Sequence, residues 1–206
     1  MDHYLKNVYM HKFGALQGLI DLVAESNPRA ILAWHGAREL LRDMRQMLVR
    51  IHSWAVPNTE AIEVAARYSP LVEVGAGTGY WAWLLKLAGA DMVAYDLEPL
   101  ASSLDDPFDD AKPWTEVTQG SVEEALAQHP LRTLFLCWPP ADDPMAATAL
   151  SLTRARHVIF VGWQDDAITG SNEFHQLLRE QWDLVQTVDI PQWPEMRDRL
   201  FVYRRR

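Results

Sequence analysis

The segment Leu71-Val-Glu-Val-Gly-Ala-Gly-Thr-Gly-Tyr80 constrains this chain more than any other. An apolar strand runs into three glycines at alternate positions, Gly75, Gly77 and Gly79, and a helix-like stretch follows from Tyr80. Alternate glycines let a backbone turn tightly and let a ligand approach where a Cβ would clash. The helix N-terminus behind them offers unpaired N–H groups and positive dipole to an anion. A pyrophosphate-binding dinucleotide loop calls for a glycine or alanine three positions after the second glycine. Tyr80 occupies that position and the third glycine is Gly79, so the pattern is G-x-G-x-G, with Glu73 two residues ahead of it.

The rest of the chain frames that loop. Leu40, Leu41, Met44, Met47, Leu48 and Ile51 recur at three- and four-residue spacing between His35 and Trp54, which predicts an amphipathic helix ended by Pro57. Asn58 or Thr59 caps a shorter helix carrying Ile62, Ala65 and Ala66. From Ser69 onward short apolar runs alternate with helix-like stretches. The strands expected are Leu71–Val74, Met92–Tyr95, Thr115–Thr118, Leu134–Cys137 and Val158–Val161. The helices expected are Tyr80–Leu87, Val122–Gln128, Pro144–Leu152 and Asn172–Gln181, with Ser121/Glu124 as a capping box, Asp143 as a cap before Pro144, and Ser171 before the last. Buried strands joined by crossover helices imply a parallel sheet covered on both faces. Leu184–Ile190 and Leu200–Tyr203 leave no room for a crossover helix between them, which predicts an antiparallel hairpin at the sheet's edge. No linker divides the chain. Residues 1–68 read as a helical segment covering a pocket, and 69–206 as one compact α/β core.

Glu73-Val-Gly-Ala-Gly-Thr-Gly79 resembles the first signature of the class I S-adenosylmethionine-dependent methyltransferases. The resemblance runs from about Ser69 to the final hairpin and leaves out the N-terminal helices. It implies a Rossmann-like, seven-stranded, mostly parallel sheet with helices on both faces and a C-terminal antiparallel hairpin. It also implies S-adenosylmethionine as cofactor, held by Glu73, Gly75, Ala76, Gly77 and Gly79. Asp96 ends the second strand near the ~20-residue distance at which a ribose-binding carboxylate is found. A carboxylate accepts from two adjacent hydroxyls, and the family gives this position the same role, with Leu97 beside it. Gln119-Gly-Ser-Val-Glu123 corresponds to the family's adenine-bordering segment, which puts Ser121 and Val122 there, although the aspartate often found in it is lacking. The hydroxyl of Ser121 is expected to cap the helix.

The fourth strand ends Leu134-Phe-Leu-Cys-Trp-Pro-Pro140, beside the first strand at the switch point where ligands bind. Amino-group methyltransferases of the family often carry Asn, Asp or Ser before Pro-Pro and an aromatic after it. Here Trp138 precedes and Ala141 follows, so the resemblance supports a site, not nitrogen chemistry. Cys137 borders the cofactor and reads as packing rather than as a nucleophile. Trp138 and Trp163, on adjacent strand ends, are expected to line an acceptor pocket with Asp142, and Trp193 to stand near its rim; Trp34, Trp54 and Trp81 read as ordinary packing. Methyl displacement from a sulfonium needs alignment, exclusion of water and, for a hydroxyl or thiol, a base. No His–Asp pair announces one. Asp142, Asp143, Gln164, Asp165 and Asp166 follow strand ends; His35 or His52 reach in from the N-terminal helices; His129 and His157 belong at the far end, and His175 on a helix flank.

Nineteen basic against 28 acidic residues, a net charge of −9, disfavour a nucleic-acid substrate. The basic Arg204-Arg205-Arg206 reads as a solvated tail. One cysteine excludes an intramolecular disulfide, no metal site is expected, and the absence of a signal-like segment or a ~20-residue apolar run points to a cytoplasmic chain with no membrane partner. The function expected is methyl transfer to a small-molecule acceptor, and a homodimer is compatible with it. Methylation of a protein or peptide, a non-catalytic cofactor-binding subunit, and a nucleotide-dependent oxidoreductase are the alternatives.

Overall fold

Seven strands form one sheet: β1 (Leu71–Val74), β2 (Met92–Asp96), β3 (Thr118–Gln119), β4 (Thr133–Cys137), β5 (His157–Gly162), β6 (Trp182–Asp189) and β7 (Arg199–Arg205). Across the sheet the order is β3-β2-β1-β4-β5-β7-β6. The computed structural model describes residues 12–14, 18, 31–99, 112–164 and 168–206. β1 pairs in parallel with β2 and β4, and β4 with β5, whereas β7 runs antiparallel between β5 and β6. The chain therefore reverses direction across the sheet between β1 and β4, which opens a crevice at their carboxyl ends.

The period-two alternation of strand side chains sorts the core into two layers. Leu71, Phe135, Ile159 and Val202 face α1 (Ile31–Ile51), α2 (Thr59–Ala66) and α3 (Tyr80–Leu87). Val72, Leu134, Phe160 and Phe201 face α4 (Val122–Gln128), α5 (Met145–Leu152) and α6 (Asn172–Gln181). Leu48 of α1 and Ala55 and Val56 after it belong to the first layer, so the N-terminal segment shares its core with the sheet.

Several expectations shift. α1 ends at Ile51, well before Pro57, and Asn58 rather than Thr59 caps α2, its Oδ1 accepting from the Ala61 N–H at 2.9 Å. β3 is two residues long and lies later than Thr115–Thr118. The Trp114 N–H donates to the Thr78 carbonyl at 2.9 Å, which ties the approach to β3 to the glycine loop, so only Thr118 and Gln119 pair with Tyr95 and Asp96. α5 begins at Met145 with Pro144 as its cap residue; Asp143 sits one place earlier, yet its Oδ1 still accepts from the Met145 N–H at 2.7 Å. Ser121 and Glu124 form the reciprocal capping box. Of the three terminal arginines, Arg205 departs from the expected solvated tail, whereas Arg204 and Arg206 stay exposed. Arg205 donates to the Thr153 and Ala155 carbonyls and lies over the Trp182 ring, and Arg206 pairs with Asp183 at 2.8 Å.

Candidate active site at the carboxyl edge of the sheet

The glycine loop leaves β1 with Gly75, Gly77 and Gly79 all in the left-handed region, at φ 71°, 53° and 70°. Gly79 is the cap residue of α3, and a Cβ there would lie 2.9 Å from Val117 and 3.0 Å from Thr115. At Gly77 an added Cβ would meet no atom within 4 Å, because this stretch of backbone faces open space. Asp96, at the end of β2, holds the loop: its Oδ2 accepts from the Gly77 N–H at 2.8 Å and its Oδ1 from the Glu98 N–H at 3.0 Å. Each oxygen keeps a further lone pair for a ligand hydroxyl.

That space is part of a cavity of about 750 Å³. Its wall takes in Glu73 through Thr78, Asp96 to Glu98, and Gly120 to Glu123 at one end. Cys137 to Pro140, Asp143 to Met145, and Gln46, Arg50 and His52 to Trp54 from the N-terminal segment complete it. The structure thus gathers Glu73, Gly75, Ala76, Gly77, Asp96, Leu97, Ser121, Val122, Cys137 and Trp138 around one cavity, while Gly79 sits behind them at the helix start. Three of the residues expected on the acceptor side lie elsewhere. Trp163 is not on the wall: its N–H donates to Thr169 Oγ1 at 2.8 Å, and Arg197 covers its ring at 5.6 Å. Asp142 is exposed and off the wall, its neighbour Asp143 taking the place. Trp193 is buried in the core against Phe13, with ring centres 5.0 Å apart, and not at the rim. His175 is buried rather than on a flank, its Nε2 2.7 Å from the Thr169 carbonyl. Asp165, Asp166 and the side chain of His35 lie outside the described residues.

Three ionisable groups, the buried Glu73 and His52 and the partly buried Cys137, set the electrostatics. Glu73 is 2% exposed and its Oε2 has no hydrogen-bond partner among the described residues. Burial, and then the neighbouring Asp96 charge, hold its carboxyl well above the usual range. Burial pushes the Cys137 thiol well up too, with Glu73 adding to the effect, so the nucleophilic thiolate is disfavoured. His52 stacks on Trp114, with ring centres 5.2 Å apart, and contacts Tyr80 at 4.9 Å. Burial and then the Lys12 charge lower it to about 4, so the imidazole on the cavity wall is neutral at neutral pH. The backbone on either side of it is anchored, since Thr78 Oγ1 donates to the His52 carbonyl and Trp114 Nε1 donates to the Ile51 carbonyl at 2.7 Å.

Trp54, expected to be ordinary packing, lines the cavity. Its ring stacks on Trp138, with centres 4.9 Å apart and planes 11° apart, across the mouth between the N-terminal segment and the end of β4. Arg45 of α1 stands 5.3 Å and 5.4 Å from the two ring centres. Asp198, in the turn before β7, is 1% exposed; burial raises its carboxyl pKa, while the Trp138 side chain and the Arg45 charge draw it back. Trp138 itself has φ 54°, a left-handed conformation that costs a bulky residue ~1–3 kcal/mol. It is held there because its N–H donates to the Val161 carbonyl at 2.8 Å and the Gly170 N–H donates to the Pro139 carbonyl at 2.7 Å. No helix among the described residues is long and apolar enough to cross a membrane, and no group of three or more His, Cys, Asp or Glu among them is placed to hold a metal ion.

Neither a protein-family model nor a curated protein sequence matches the chain. Solved structures do match its fold. Magnesium protoporphyrin IX methyltransferase from Synechocystis PCC 6803, with bound SAM, superposes on 71% of this chain and 79% of its own, with a TM-score of 0.50 and 12% identity. The glycopeptide N-methyltransferase MtfA, complexed with S-adenosyl-L-homocysteine, aligns over 71% of this chain and 89% of its own at a TM-score of 0.48 and 13% identity. The 23S rRNA methyltransferase ErmE aligns over 73% and 69%, at a TM-score of 0.46 and 18% identity. The sheet order, the antiparallel β7 and the first of these superpositions show that this chain has the Rossmann-like fold of the class I SAM-dependent methyltransferases.

Proposed function

We propose that this protein is an S-adenosylmethionine-dependent methyltransferase acting on a small-molecule acceptor. The observation that carries the reading is the continuity of one cavity from the Gly75–Gly79 loop and Asp96 to the Trp-Pro-Pro end of β4. The residues present fit the cofactor. The Gly77 backbone borders space that a Cβ would occupy, Asp96 offers acceptor capacity to a vicinal diol, and Glu73 presents a buried oxygen without a partner. A cationic amino group beside Glu73 would offset the burial that raises its pKa and restore the carboxylate. Gly120 to Glu123 border the opposite wall, where backbone groups serve as contacts because the Ser121 hydroxyl accepts from the Glu124 N–H.

When bound, the cofactor supplies an electrophilic methyl group on sulfur. The chain's own contribution is alignment and exclusion of water. Trp54, Trp138, Pro139 and Pro140 wall the far end of the cavity with apolar surface, and the two tryptophans narrow its mouth. Met145 closes the floor beneath Gly75, its Cε lying 2.9 Å from where a Cβ would stand. His52, neutral at physiological pH, adds a buried, uncharged ring to the wall. A net charge of −9 favours a small acceptor over nucleic acid.

Calorimetric titration with S-adenosylmethionine, S-adenosylhomocysteine and NAD tests the reading. Binding of the first two and none of NAD is expected. Binding of NAD alone, or of none of the three, overturns it.

A further inference from the structure

From the stacked pair at the cavity wall we infer that the acceptor is a planar, uncharged aromatic molecule, and that Trp54 is its specificity-determining residue. This rests on the methyltransferase reading for the word acceptor, but not for the aromatic subsite itself. Trp54 and Trp138 come from different parts of the chain, face one another at 4.9 Å and 11°, and line the same cavity as the glycine loop. Trp54 keeps 42% of its surface exposed, whereas Trp81, Trp182 and Trp193 are at most 2% exposed and serve the core. Its open indole surface is therefore available to a ligand in the cavity.

The backbone supports a role for the pair beyond filling space. Proline normally drives the residue before it toward extended backbone. Trp138 is left-handed instead, and the hydrogen bonds around Trp138-Pro139-Pro140 hold it so. That strain puts a large ring against Trp54 at the sheet's ligand edge. A flat aromatic ligand sliding onto such a surface gains stacking in addition to area burial, whereas a saturated ring of the same skeleton gains only the area. Aromatic walls also attract quaternary ammonium groups. Here the Arg45 guanidinium already occupies the cationic position beside both rings, at 5.3 Å and 5.4 Å, so a quaternary ammonium finds that position taken and an uncharged ring is favoured.

Three probes test this against the full chain with and without saturating S-adenosylhomocysteine: 2-naphthol, decahydro-2-naphthol and phenyltrimethylammonium. The expected result is that 2-naphthol binds roughly ten-fold more tightly than either of the others. Trp54→Ala should erase that preference, Trp54→Phe should keep most of it, and both should bind S-adenosylhomocysteine within about two-fold of wild type. Equal binding of the three probes overturns the inference, as does a preference that survives in Trp54→Ala, or tighter binding of phenyltrimethylammonium. Loss of S-adenosylhomocysteine binding in Trp54→Ala but not in Trp54→Phe would assign the residue to the cofactor pocket and overturn it too. If wild type binds no S-adenosylhomocysteine yet keeps the Trp54-dependent preference, the aromatic subsite stands and the methyltransferase reading fails.

Discussion

Replacing His52 with phenylalanine should change the acid sensitivity of the fold while leaving its neutral-pH stability nearly unaltered. Phenylalanine keeps a ring against Trp114 and Tyr80, the contacts that His52 makes at 5.2 Å and 4.9 Å. The histidine takes up its proton at about 6.5 when unfolded, but only at about 4 in the folded chain. Between those values the unfolded state binds more protons, so stability is lost as pH falls through that window. For this one group the loss is about 2 kcal/mol at pH 5 and about 3 kcal/mol at pH 4, with almost none at pH 7.5. These are upper figures, because His52 lines a cavity that admits water. Glu73 and Asp198, whose carboxyl pKa values are raised in the fold, act with the opposite sign: their contribution is present at low pH and lost as pH rises. Both remain in the variant, so the difference between the two proteins isolates His52. Urea unfolding followed by far-ultraviolet circular dichroism at pH 7.5, 6.5 and 5 measures it. His52→Phe should gain on wild type by about 1 kcal/mol or more between pH 7.5 and pH 5. A difference that stays constant across that range refutes the assignment of a buried, neutral imidazole.

Asp96→Ala removes the acceptor that holds the Gly77 N–H and the proposed ribose contact, so affinity for S-adenosylhomocysteine should fall by ~1–3 kcal/mol in a calorimetric titration. Wild-type affinity in a folded variant would remove that role. Gly77→Ala places a Cβ in the open space of the cradle at φ 53°; it should cost ~1–2 kcal/mol of fold stability and roughly ten-fold or more in cofactor binding, and unimpaired binding would sink the cradle. Trp81→Ala empties a 1%-exposed site against Phe135 and should cost ~3–5 kcal/mol in urea unfolding, a loss below 1 kcal/mol showing that the first core layer collapses around the gap.

Local signals of short range carried the fold. Strand periodicity, the alternate glycines and the Ser121 and Ser171 caps each depend on neighbours a few residues away, and the elements they predict are present. The glycine-loop end of the cavity is legible for the same reason, since a glycine loop and a strand-end carboxylate are both read within one segment. The opposite end is not. Trp54 joins the cavity wall by meeting Trp138 from a distant part of the chain, and nothing in the spacing around it sets it apart from the packing tryptophans. Asp198 likewise reaches Trp138 from the far end of the chain. Trp163, at a strand end that promises a ligand, lies off the cavity wall, with Thr169 bonded to its backbone and Arg197 over its ring. β3 was misplaced because Trp114 bonds the glycine loop instead of continuing a β ladder.

The position of β7 between β5 and β6 sets a hierarchy of opening. Among the described residues β6 pairs with no strand but β7, whereas β7 is laddered on both sides. β6 can therefore peel away and leave β7 in the sheet, but β7 cannot leave without freeing β6. Leu184 and Val185 on β6 are already 47% and 43% exposed, and a shift in register beside them weakens the ladder there. Amide exchange should consequently be graded outward: fastest on β6, slower on β7, slowest in β1 and β4. On this side of the sheet loosening thus begins at the margin most distant in sheet order from the glycine loop, and β1 and β4 keep their pairing while that edge opens and closes.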